Sequence, residues 1–68
     1  MNENIIKFTQ LCAKSRYQGL TAKKHIEKND LLDKLIEDGL MYNDNGNNKF
    51  VNKEDSDYFI ETIKNWDK

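Results

Sequence analysis

The residues that could do chemistry in this 68-residue chain are mostly cations and amides. Lys14, Arg16, Lys23, Lys24 and Lys28 crowd the first half, a set suited to phosphate oxygens. Asn29 can read an adenine edge, and Lys34 extends the basic series. Asn47 and Lys49 lie in an Asn/Gly tract that can carry them to a groove or a phosphate backbone. The alternative is that these lysines form a solvated helix face.

Catalytic and metal chemistry have little to draw on. His25 and Cys12 have no third group spaced to orient the histidine, and two ligand-type residues do not make a zinc site. Asp44-Asn45-Gly46 faintly echoes a calcium loop without the downstream bidentate glutamate. The expectation is a non-enzymatic protein with no cofactor and no metal.

Net charge is −1, but it is unevenly spread. Residues 1–28 hold six cations against two carboxylates, and residues 29–68 hold five lysines against ten Asp and Glu. A basic face and an acidic face follow if the two halves do not interleave in space; otherwise mixed charge simply keeps a small domain soluble. With one cysteine, no signal-peptide pattern and no long apolar run, the chain reads as cytoplasmic with no membrane partner. Cys12 reads as a small buried hydrophobe. A chain this short buries little core, so homodimerisation or docking on a partner is a reasonable expectation.

The elements that must position these groups fill one domain, residues 1–68. Asn2 or Asn4 caps a first helix with Ile5, Phe8 and Cys12 on one face and Leu11 and Ile6 widening it. Gly19 makes a turn, and Thr21 opens the next segment. Residues 21–38 form either one helix, with Ala22, Ile26, Leu32 and Ile36 on its face, or two. The shift in apolar phase after Ile26 favours two, Thr21–Lys28 and Asp30–Asp38, with Asp30 as the second cap. Gly39 ends that segment in a left-handed cap. Leu40-Met41-Tyr42 and Phe50-Val51 then flank a six-residue link, Asn43 to Asn48, as a β-hairpin. Asn52 caps a last helix bearing Tyr58, Phe59, Ile63 and Trp66, of which Phe59 and Trp66 read as core.

Three runs carry a resemblance: Leu35-Ile36-Glu37-Asp38-Gly39-Leu40, Gly46-Asn47-Asn48-Lys49-Phe50-Val51, and Lys53-Glu54-Asp55 followed by Tyr58-Phe59-Ile60. Over the second half the chain resembles the small excisionase-type winged helices of phages and mobile elements, which share a MerR-like fold. The resemblance implies an α+β, mostly helical fold: a small winged helix-turn-helix with three to four helices and a two-stranded β-hairpin wing. It also implies binding to double-stranded DNA, as an architectural factor or transcriptional regulator. The family's base-reading positions correspond to about Lys28, Asn29, Leu31 and Lys34. Two departures lie upstream: the space before Gly39 is short for two helices and a turn, and the N-terminal helix is additional. Asp30 and Asp33, interspersed among the reading positions, would be repelled by phosphates.

A second class of function rests on the acidic half. Asp30, Asp33, Glu37, Asp38, Glu54, Asp55, Asp57 and Glu61 would suit a phage-type inhibitor docking on a basic host protein.

Overall fold

The computed structural model describes residues 1–66 and has the order α1 (Glu3–Tyr17), α2 (Ala22–Glu37), β1 (Met41–Asp44), β2 (Asn47–Phe50), α3 (Lys53–Asn65). It is an α+β fold of three helices and a two-stranded antiparallel hairpin. Helix α1 packs against both α2 and α3, α2 also touches β1, and α3 touches β2.

Helix α1 starts where Asn2 Oδ1 accepts from the Asn4 backbone N–H at 2.8 Å, occupying a donor that the first turn leaves without an intrahelical acceptor. Ile5, Phe8 and Leu11 are buried as their spacing predicts, and Cys12 is half-buried. Thr9 and Ala13 are buried as well, which widens the stripe enough to serve two neighbouring helices. The Thr9 hydroxyl is not stranded there, because it donates to the Ile5 carbonyl at 2.7 Å.

Residues 22–37 form one helix, not the two that the apolar phase favours. Thr21 caps it by accepting from the Lys24 N–H at 3.3 Å. Neither glycine nor proline interrupts Asn29-Asp30, so helical hydrogen bonding continues through them. The face is also different from the one read for a single helix. Leu35 is buried, and Leu31 and Leu32 pack beside it. Ile26 and Ile36 stay exposed, Ile26 at 62%. The phase shift marks an isoleucine turned to solvent, not a break in the chain.

At the end of α2 the Gly39 N–H reaches the Ile36 carbonyl at 3.1 Å and the Leu40 N–H reaches the Leu35 carbonyl at 2.9 Å. With Gly39 at φ +76°, this is a Schellman motif, and its apolar partners are Leu35 and Leu40. The motif turns the chain directly into β1.

The hairpin is longer in its strands and tighter in its turn than a six-residue link. Asn43 pairs with Asn48 and Asp44 with Asn47, leaving only Asn45-Gly46 between the strands. Both have positive φ, 53° and 87°, as a type I′ turn requires. The Asn43 side chain steadies it, accepting from the Gly46 N–H at 3.1 Å and donating to Asn48 Oδ1 at 3.3 Å. Asn52 occupies the cap position of α3, but its side chain makes no cap hydrogen bond.

The core gathers Ile5 and Phe8 of α1, Leu35 of α2 and Met41 of β1. Phe59 of α3 joins it by stacking on Phe8 at 6.2 Å and tilting against Phe50 of β2 at 5.2 Å. Trp66, at the end of α3, is only half-buried. Leu35→Ala should cost about 2–5 kcal/mol, a large share of the roughly 3–10 kcal/mol expected for a domain of this size. Urea unfolding followed by circular dichroism should show a much lower midpoint, or no cooperative transition.

Candidate nucleic-acid interface

The basic residues of the first half collect at one end of the α1/α2 pair. Lys14 and Arg16 lie in the last turn of α1, and Lys23 and Lys24 lie in the first turn of α2, across the turn made by residues 18–21. All four are exposed. Sequence proximity alone brings them together, since a short turn joins two packed helices. Arg16 lies 5.7 Å from the Tyr17 ring centre, a cation–π contact that leaves its guanidinium at the surface. Lys24 pairs with Glu27 at 3.2 Å, an exposed contact that contributes little to stability. The N-terminus of α2 brings its partial positive charge to this pole, opposed by the partial negative charge of the adjacent C-terminus of α1.

Lys28 does not belong to this exposed group. It is half-buried on the α1-facing side of α2, close enough to Cys12 for its ammonium charge to act on the thiol. Burial pushes the Cys12 thiol up, and Lys28 pulls it down by a smaller amount. Asn29 and Lys34 are exposed further along α2. Lys34 instead borders a shallow groove of about 450 Å³ that it shares with Lys7, Lys23, Ile26 and Leu31.

Asn47 and Lys49 are exposed on β2. The hairpin follows the C-terminus of α2, whose 16 residues span about 24 Å from the end that carries the basic pole. Lys49 is tied to Asp44 at 2.9 Å, which leaves the wing with no net charge.

The acidic residues are sorted by the single helix. Asp30, Asp33 and Glu37 recur at helical spacing with Ile26, and all four are exposed. Two-residue offsets from Leu35 put Asp33 and Glu37 on the side of α2 away from the core. Asp55, counted among the acidic docking residues, is 8% exposed in the first turn of α3 and faces inward. Sequence reasoning missed this because Asp55 stands in an acidic run with Glu54 and Asp57, which reads as a solvated first turn. The signal was available: Asp55, Phe59 and Thr62 share a helical face.

His25 is exposed on α2 and Cys12 half-buried on α1. Among the described residues no three His, Cys, Asp or Glu side chains cluster as metal ligands, and no helix is long and apolar enough to cross a membrane. Comparison of the chain with protein-family models, with curated proteins and with solved structures gives no match.

The raised Cys12 pKa carries a pH signature. Because the folded thiol titrates above the unfolded one, its contribution is intact below about 8.5 and is lost as pH rises through the folded value. Urea midpoints should therefore fall more steeply above that pH in the native chain than in Cys12→Ala. Lys28→Met should push the thiol further up, read as slower iodoacetamide labelling at fixed alkaline pH.

Proposed function

We propose that the chain is a small, non-enzymatic, cytoplasmic DNA-binding protein, an excisionase-like architectural factor or transcriptional regulator of a phage or mobile element. The observation that carries this reading is the exposed basic pole of Lys14, Arg16, Lys23 and Lys24 at the N-terminus of α2, with a hairpin wing at the far end of the same helix. Four cations and an α-helix N-terminus are suited to successive phosphate oxygens of a duplex. Asp30, Asp33 and Glu37 repel phosphates along the outer side of α2, so the duplex is approached by the helix end and not by its length. Asn29 lies two turns along α2 from such a contact, and Asn47 and Lys49, on the hairpin that follows the opposite end of the helix, lie outside it. Lys28 and Lys34 act less directly.

Four phosphate contacts predict a slope of about −3.6 in log K against log salt, or about a hundredfold loss between 50 and 200 mM. Fluorescence anisotropy with a mixed pool of duplexes measures this. Lys23→Glu with Lys24→Glu should abolish binding while circular dichroism stays unchanged. Binding indifferent to salt, or none at low salt, would sink the proposal.

The exposed row of Ile26, Asp30, Asp33 and Glu37 supports a second reading, an inhibitor that docks this face on a basic host protein. In that case Asp33→Lys with Glu37→Lys removes capture of a host partner, and the double lysine reversal does not.

A further inference from the structure

The outer face of α3 is self-complementary, and we propose that two copies of this chain pair antiparallel through it. Lys53, Asp57, Ile60 and Lys64 recur along one side of the helix, opposite the side on which Asp55 and Phe59 turn inward. Ile60 sits in the middle, 56% exposed. Beside it runs an apolar groove of about 490 Å³ between the end of α1 and α3, lined by Tyr17, Phe59, Ile60 and Ile63 and bordered by Arg16 and Lys64.

The order of charges along this face selects the occupant. Asp57 lies one turn before Ile60 and Lys64 one turn after it. A two-fold axis beside Ile60 places Asp57 of each copy against Lys64 of the other, with Arg16 at the same rim. Each Ile60 then enters the other copy's groove. This is the isologous requirement, that residue i meets j and j meets i. A parallel arrangement would set Asp57 on Asp57 and Lys64 on Lys64. Antiparallel pairing also opposes the two helix dipoles favourably. The existing contact of Asp57 with Lys53, 3.9 Å and exposed, is weak enough to be exchanged. Glu61 is turned along the helix toward Asn65, whose side-chain amide donates to it at 3.2 Å, and so does not oppose the pairing.

Sedimentation equilibrium over a range of concentrations tests this, with folding checked by circular dichroism. The native chain should dimerise, and Ile60→Glu should weaken the dimer at least tenfold. Asp57→Lys alone and Lys64→Asp alone should each weaken it, and the two together should restore it. Only reciprocal pairing gives that rescue. In a Cys12→Ser background, Ile60→Cys should form a disulfide-linked dimer faster than Val51→Cys, which is about equally exposed just after β2. A native chain that stays monomeric overturns the proposal. So does a dimer indifferent to the charge swap, and one lost on Ile26→Glu would place the acidic face of α2 in the groove instead. Of the residues on this face only Arg16, at the rim, is also assigned to DNA; the substituted residues Ile60, Asp57 and Lys64 are not, so the two proposals fail separately.

Discussion

Leu35 is the side chain on which the molecule turns. It is fully buried, and it lies one turn from the end of α2, where its own carbonyl accepts the Leu40 N–H that closes the helix. Burial and capping therefore reinforce each other at one residue. Gly39 supplies the positive φ that the reversal needs, and Leu40 follows Leu35 into the core. From there Met41 enters β1 already pointed inward, and the register of the hairpin is set before the Asn45-Gly46 turn is reached. The wing is thus held at its base by packing and at its tip by turn geometry.

Helix α1 gives that junction something to pack against. It is the shared neighbour of α2 and α3. Its broad buried stripe, from Leu11 through Ala13, suits one helix serving two partners. Phe59 links this packing to the hairpin by touching Phe8 on one side and Phe50 on the other. In so small a core, one aromatic ring joins three elements.

Electrostatics follow from the unbroken course of α2. A continuous helix separates a basic beginning from an acidic outer flank, so the opposed halves of the sequence become distinct surfaces instead of cancelling. Had α2 broken at Asn29-Asp30, Asp30 would have lain in a turn and the carboxylates after it on a separately oriented helix. A reading centred on DNA must then use the end of α2, and a reading centred on a protein must use its side. The proposed α3 pairing employs a third surface, which meets the basic pole only at Arg16.

Much of this was legible from local rules. Asn2, Thr21 and Gly39 act where their chemistry predicts, because caps and left-handed glycines depend on only a few neighbouring residues. The crowding of Lys14, Arg16, Lys23 and Lys24 was equally plain, since a short turn keeps sequence neighbours together. The two-residue Asn-Gly turn was also written in the sequence, but polar Asn43, Asp44, Asn47 and Asn48 hid the strands that it joins. Other features waited on the tertiary structure. Whether Ile26 or Leu31 faces the core depends on where α1 lies, and periodicity by itself offers both phases. The inward turn of Asp55 and the half-burial of Lys28 have the same origin. Hydrophobic pattern shows that a helix has an apolar side; only its neighbours decide which side is covered, and therefore which charges remain free to meet a partner.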